Sequence, residues 1–416
     1  MKKIILSLLL HFGLVPFIVR ASNGSLAMVD GKYYDNLEDA IKNATSEDII
    51  TLMSNVKLDD SLKIDKTVNI NLNGNNITAD EKVFFINGGF LTLTGSGIIK
   101  ETKPNYGAIM LVGSTNPNDD KYSAVSVGKG ITLEGWSGIF INHDSRKSYG
   151  VNVYLEGKIN AVNDTSGGSG AGIYVNGNIK DEEASPIVNI MDGAEIKSTG
   201  NGLYIAGYST FYIGDAYIEG DESAIGIKSG KLMIDGATLV CSGPDYTPTE
   251  GYNNGIMPSG TTIQIESNNG YRGKMEIDIS SGNFISKNSN VIYEYIGKGD
   301  TSQIYSMSIS GGTFESGKSK DVFSFSDSFK DIHSGFISGG EYSTNPSSYL
   351  KSGYTVVEDN NLYSVVKNTM KEVNSSNYEI SNKNNFIKSI IFILSIFTLS
   401  ILIYFNRTKI SNLLKR

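Results

Sequence analysis

Two groups of titratable residues and one aromatic set stand out by type and spacing. His143-Asp144, with Arg146 and Lys147 close behind, follows the apolar triplet Ile139-Phe-Ile141. Apart from His11, His143 and His333 are the only imidazoles of the chain. A histidine beside a carboxylate can take up and return a proton near neutral pH. No second carboxylate is tied to this pair by spacing, so the residues favour a solvated polar loop over catalysis. Asp192, Asp215 and Asp235 recur near the same turn of three successive sequence units. Carboxylates on neighbouring strands fall within general acid–base reach. Asp beside Gly is also what a tight turn requires, and the turn reading is preferred. Asp181-Glu-Glu183 and Asn118-Asp-Asp120 offer oxygen ligands of the kind calcium takes. Neither matches a loop of defined ligand spacing, so neither a metal nor a cofactor is expected.

The aromatic set is Phe140, Tyr174 and Tyr204, each the middle residue of an apolar triplet. Tyr293 and Phe323 are expected to continue the column. In a strand the middle residue points away from the face that its two neighbours share. Aromatics stacked one strand apart stabilise a sheet by about 0.5–1.5 kcal/mol per pair. They also make a flat surface that a sugar ring or a partner can cover.

These residues need a repeating framework, and the sequence contains one. The segment Val188-Asn-Ile-Met-Asp-Gly-Ala-Glu-Ile196 is echoed by Phe211-Tyr-Ile-Gly-Asp-Ala-Tyr-Ile218 and by Lys231-Leu-Met-Ile-Asp-Gly-Ala-Thr-Leu239. Aligned on Ala194, Ala216 and Ala237, the copies lie 22 and 21 residues apart. Ile70-Asn-Leu-Asn-Gly74 and Leu91-Thr-Leu-Thr-Gly95 show the same 21-residue step. Later copies stand further apart, which inserted surface loops explain, with 114–121, 143–149, 165–170 and 243–260 as candidates. One such unit cannot bury its own apolar face and must stack on a copy of itself. Ile139, Ile141, Ile173, Val175, Leu203, Ile205, Ile225 and Ile227 are therefore expected to point inward.

The expected fold class is an all-β solenoid. Its details resemble the right-handed parallel β-helix of the pectin-lyase-like superfamily over residues 49–345. The opening Tyr33-Tyr-Asp-Asn-Leu-Glu-Asp-Ala-Ile41 and the closing Ser338-Gly-Gly-Glu-Tyr342 are similar to phrases in secreted surface proteins of low-GC Gram-positive bacteria. Many members of that superfamily are polysaccharide lyases or hydrolases. The Asn-Thr-Asp and Gly-His-Gly motifs of its polygalacturonases are missing here, Asp59-Asp60 and Asp119-Asp120 have no His-bearing partner strand, and a Trp-Ile-Asp-His pattern around Trp136 is absent too.

The ends set the expected compartment. Residues 1–21, with Lys2 and Lys3 ahead of an apolar run, read as a secretory signal peptide. Residues 386–405 carry one charge, Lys388, and suffice for a single transmembrane helix, followed by a basic cytoplasmic tail at 406–416. Asn- and Ser-rich residues 367–385 read as a polar stalk. They lack the Leu-Pro-x-Thr-Gly signal of wall-linked proteins. Residues 28–48 read as an N-terminal cap with a helix from Asn36, and 346–366 as a capping β-hairpin. Cys241 is alone, which excludes a disulfide framework. A net charge of −8 argues against nucleic-acid binding. Together these features predict a membrane-anchored protein with its repeat domain outside the cell. Its expected role is adhesion or carbohydrate binding, toward an extracellular glycan or a host or neighbouring cell surface. A surface polysaccharide lyase or glycoside hydrolase with a diverged site is the alternative.

Overall fold

The computed structural model describes residues 24–368, apart from 104–105, 115, 117, 119–121, 142–148, 163–169, 178–185, 247–257, 272–273 and 298–300. The expected leader (1–21), transmembrane helix (386–405) and basic tail (406–416) lie outside these residues, as does the expected stalk (367–385) beyond Asn368; Lys367 is the last residue of the strand Leu362–Lys367. Among the described residues, no helix is long and apolar enough to cross a membrane.

Alternation of apolar and polar residues builds the body. Val151–Leu155 has the burial pattern in-half-in-out-in, Lys158–Ala161 follows as out-in-out-in, and Ala171–Val175 completes the circuit. The next coil runs Ile187–Ile190, Glu195–Ser198 and Asn201–Ile205. Every strand of one coil pairs in parallel with its counterpart in the next: Val153 with Val188, Ile159 with Ile196, Ile173 with Leu203. The repeated phrase of the sequence thus holds two strands either side of an Asp-Gly turn, and the apolar triplet is a third. Two long sheets result, one of 23 strands and one of 10. They are nearly all parallel, an arrangement consistent with a β-helix or solenoid.

The core is a set of inward columns. Val153, Val188, Phe211, Leu232 and Ile277 follow one another in register, each at most 2% exposed. All eight aliphatics expected inside are fully buried. The coil corners depend on glycine at two kinds of place. Gly193 turns the Asp192-Gly193 corner with φ +84°, which L-residues rarely adopt. Gly202 lies so close to the next coil that a Cβ would stand 2.5 Å from Ala224 O and 2.6 Å from Ile218 Cγ2. Gly138 and Gly172 face Ile159 and Ile196 in the same way, which explains the small residue that opens each triplet.

The two ends are sealed differently. At the N-terminal end, the hairpin Ala27–Val29/Lys32–Tyr34 pairs antiparallel with Ile49–Leu52. Helix Leu37–Asn43 lies beside it, with Asn36 Oδ1 accepting the Asp39 N–H at 2.7 Å. The helix buries Leu37, Ala40 and Ile41, and Ala44 at its C-cap is also buried. At the C-terminal end, Phe284, Phe314 and Tyr342 form an inward stack with ring centroids 4.6 and 4.8 Å apart. Phe323, Phe325, Phe329, Phe336 and Tyr349 pack around it. A short helix that the sequence reading did not foresee, Asp327–Ile332, starts at Ser326. The hairpin Tyr354–Asp359/Leu362–Lys367 then closes the last coil through Glu341–Tyr342.

The expectation that Phe323 continues the outward aromatic column is overturned. It lies in register with the inward Ile292, and its neighbour Ser324 takes the outward place above Tyr293. The strand Phe323–Ser324 is only two residues long, so it has too little alternation to reveal its phase from the sequence.

Candidate functional site

The ten-stranded sheet carries the aromatic set on its outer face. Met110, Phe140, Tyr174, Tyr204, Gly226, Gln264 and Tyr293 follow one another in register. Alternation forces this: Ile139 and Ile141, Ile173 and Val175, and Leu203 and Ile205 turn inward, so the residue between each pair turns out. Phe140 stacks on Tyr174 at 4.9 Å with the rings 20° apart. Tyr174 stacks on Tyr204 at 4.4 Å and 25°. Tyr293 is on the same line, separated from the stack by Gly226 and Gln264.

Aromatics that the sequence reading did not connect to this column flank it. Trp136 lies 5.2 Å from Tyr174 and 6.1 Å from Phe140, and the edge of Tyr106 meets Phe140 at 5.9 Å. Both are held through their backbones. Glu101, 1% exposed, accepts the Trp136 N–H and the Tyr106 N–H at 3.0 Å each. This carboxylate organises the rim. On the other side, the hydroxyls of Tyr174 and Tyr271 hydrogen-bond to that of Tyr204. Tyr271 lies against Gly177, which has no side chain to push it away.

The column is therefore packed more deeply than an open strip. Phe140 and Tyr204 are buried and Tyr174 is half-buried. Burial pushes the Tyr174 hydroxyl up to about 12, and drives that of Tyr204 far above the ordinary phenol range. Both remain neutral phenols at any physiological pH and serve as hydrogen-bonding groups.

One and two coils beyond Tyr204 lie the partners of a buried ion pair. Lys228 Nζ stands 3.1 Å from Glu266 Oε2, with the two side chains 1% and 4% exposed. The same ammonium sits 4.2 Å from the Tyr271 ring centroid and 5.8 Å from that of Tyr204. Burial holds Lys228 below its usual range, with Glu266 opposing the shift. Register explains the pairing: Ile227 faces Ile265 across the ladder, so Lys228 falls opposite Glu266.

The acid–base candidates divide into two groups. His143 and Asp144 lie outside the described residues, as do Asp181–Glu183, Asp119 and Asp120. Asp192 and Asp215 are exposed corner residues, and Asp235 is exposed at an irregularity within the strand Gly230–Cys241. Asp192 Oδ1 accepts the backbone N–H of Asp215 at 3.0 Å, and Asp235 Oδ1 accepts the hydroxyls of Ser280 and Ser281 at 2.8 and 2.7 Å. The Asp192 and Asp235 carboxylates each tie their coil to the next, so the spacing serves the stack. His333 packs on Phe329 at 5.0 Å, with its Nε2 2.6 Å from Ile304 O, in the C-terminal cap. Among the described residues, no three His, Cys, Asp or Glu side chains converge as a metal site would need. A comparison with protein families, with curated proteins and with solved structures finds no match for this chain.

Proposed function

We propose that the chain is a surface-displayed carbohydrate-binding or adhesion module with no catalysis of its own. In this reading residues 1–21 are removed on export. The repeat body stands outside the membrane, and residues 386–405 anchor it as one transmembrane helix. The coils wind as a right-handed parallel β-helix of the pectin-lyase-like kind, the hand that strand–crossover–strand connections almost always take. In this reading, which leans on the resemblance to surface proteins of low-GC Gram-positive bacteria, the protein stands in a bacterial cell membrane and faces a glycan or a host or neighbouring cell.

One observation carries the binding reading: Tyr106, Trp136, Phe140, Tyr174 and Tyr204 gather on one outer face, and Glu101 fixes two of them. Aromatic rings present an apolar body with a polar tip, which suits the C–H face and hydroxyl rim of a sugar. The alternative of a diverged polysaccharide lyase or hydrolase is less favoured, because the Asp192 and Asp235 carboxylates are engaged in bonds between coils.

The test is retention on immobilised glycans and on cell surfaces. The purified full chain is expected to bind at least one class of glycan. Tyr174→Ala is expected to weaken that binding about tenfold, the effect of removing one well-stacked ring. Tyr174→Phe keeps the ring and should bind within about threefold of the parent, since it loses one hydrogen bond. Equal binding by the parent and Tyr174→Ala, with an unchanged fold by circular dichroism, would remove the column from the account.

A further inference from the structure

We infer that Lys228, Glu266 and Asn268 form a self-linking site, in which the Lys228 amine displaces ammonia from the Asn268 carboxamide and joins two neighbouring coils by an amide bond. The site is independent of glycan binding. One buried carboxylate holds two different partners there. Glu266 Oε2 lies 3.1 Å from Lys228 Nζ, and Glu266 Oε1 accepts a hydrogen bond from Asn268 Nδ2 at 2.9 Å. All three residues are buried. The strands explain the meeting. Glu266 and Asn268 are two residues apart and share one side of the chain at the end of Thr261–Ser267. Lys228 directly follows the strand Ser223–Ile227 and falls opposite Glu266 on the next coil.

Each group is prepared for acyl transfer. An amine attacks only in its neutral form, and burial already holds Lys228 below its usual range. The electrophile is oriented: Asn268 Oδ1 accepts the Gly270 N–H at 3.0 Å while Nδ2 faces the carboxylate, so the carboxamide has one sense only. The Gly270 N–H points at the oxygen where negative charge develops when Cγ is attacked, the position of an oxyanion donor. The backbone of Asn268 is fixed on both sides. Its N–H donates to Gln303 Oε1 at 2.6 Å, and its carbonyl accepts the Tyr271 N–H at 2.9 Å. Tyr271 also walls the amine, with its ring centroid 4.2 Å from Nζ. Gly297 keeps the carboxylate and the amide clear, since a Cβ there would stand 3.2 Å from Glu266 Oε1 and 3.5 Å from Asn268 Nδ2.

The step balances without a co-reactant. A proton passes from Lys228 Nζ to Glu266, leaving a neutral amine and a carboxylic acid. The amine lone pair forms a bond to Asn268 Cγ, and the carbonyl π pair moves onto Oδ1, where Gly270 N–H receives it. Glu266 gives its proton to Nδ2 and takes one from the former Nζ. As the carbonyl is restored, the Cγ–Nδ2 bond breaks and ammonia leaves past the half-buried Gly297. Lysine amine and asparagine carboxamide have become a secondary amide and ammonia, and Glu266 remains as the neutral acid. The event occurs once per chain. The ion-pair energies belong to the freshly folded chain, before the bond forms. Afterwards the link spans the long insertion between Cys241 and Thr261 and constrains the unfolded chain as a disulfide would.

The experiment follows the full chain over time after folding, by tryptic digestion and tandem mass spectrometry. The expected result is a branched peptide that joins Lys228 to Asn268, lighter than its two parts by one ammonia and uncut after Lys228. Fragment ions across the branch are the readout, because Asn269-Gly270 can also lose ammonia by closing onto its own backbone. Lys228→Arg keeps the cation, lacks the nucleophile and should give no branched peptide. Glu266→Gln keeps the shape, loses the proton carrier and should form the link at least about a hundredfold more slowly. Asn268→Ala removes the electrophile without burying a charge, should give no link, and stands in where either of the other variants does not fold. A folded parent that shows no branched peptide after prolonged incubation overturns the site. A link from Lys228 to a different residue also overturns it, as does formation at the parent rate in Glu266→Gln.

Discussion

Phe314→Ala is expected to destabilise the C-terminal coils by about 3–5 kcal/mol, the usual cost of emptying a well-packed aromatic site. Phe314 is fully buried and is the middle ring of the inward stack, nearly parallel to Phe284 and Tyr342 at interplanar angles of 6° and 7°. Its removal costs the apolar transfer and two stacking contacts together. Tyr342 would also lose the packing that holds its hydroxyl 2.8 Å from Gly339 O. In a stack of coils each unit is stabilised mainly by its neighbours, so the damage should stay local. Amide exchange should rise over 304–367 and stay near the parent level over 67–161. The denaturant midpoint and the exchange map read this together. A loss under about 1 kcal/mol would mean that the end is closed by something other than these rings.

The second large effect concerns the buried ion pair. Lys228→Met is expected to cost about 3–5 kcal/mol, because it leaves Glu266 buried without its counter-charge. The double variant Lys228→Met with Glu266→Met should recover most of that loss, since an apolar pair of similar volume often replaces a buried ion pair without penalty. A double-mutant cycle in denaturant therefore separates the pair from its surroundings. Equal destabilisation by the single and the double variant would show that Lys228 contributes through its contact with Tyr271 and Tyr204 alone.

Which parts of this structure could be read from the residues follows from how local their signals are. The Asp-Gly turns and the step of about twenty residues expose the coil length, because stacking needs the same corner once per coil. The outward phase of Phe140, Tyr174 and Tyr204 is legible because each sits between two aliphatics. The three strands per coil were less visible: Val188–Ile196 reads as one phrase although its turn separates two strands. Trp136 and Tyr106 are held beside the column by hydrogen bonds to Glu101, one across coils and one within a non-repeating corner, and neither leaves a periodic trace. Lys228 and Glu266 are brought opposite each other across a long insertion that hides their register in the sequence. The C-terminal cap escapes for another reason. Its rings come from short segments of different kinds, including a six-residue helix, and no alternation links them.

The stacking of coils without interruption is the claim on which every other statement depends. Thr92, Ser126, Tyr154, Asn189, Tyr212, Met233 and Asp278 occupy one line in register on the outside of the larger sheet. Thr92 and Asp278 are thus six steps apart, and steps of about 4.8 Å place their backbones about 29 Å from each other. Spin labels on Thr92→Cys and Asp278→Cys measure this span by pulsed electron resonance. The native Cys241 does not interfere: it is fully buried, and burial pushes its thiol up to about 12. A single narrow distribution near that spacing is the expected result, while a broad distribution, or a separation beyond roughly 40 Å, would contradict the continuous parallel stack.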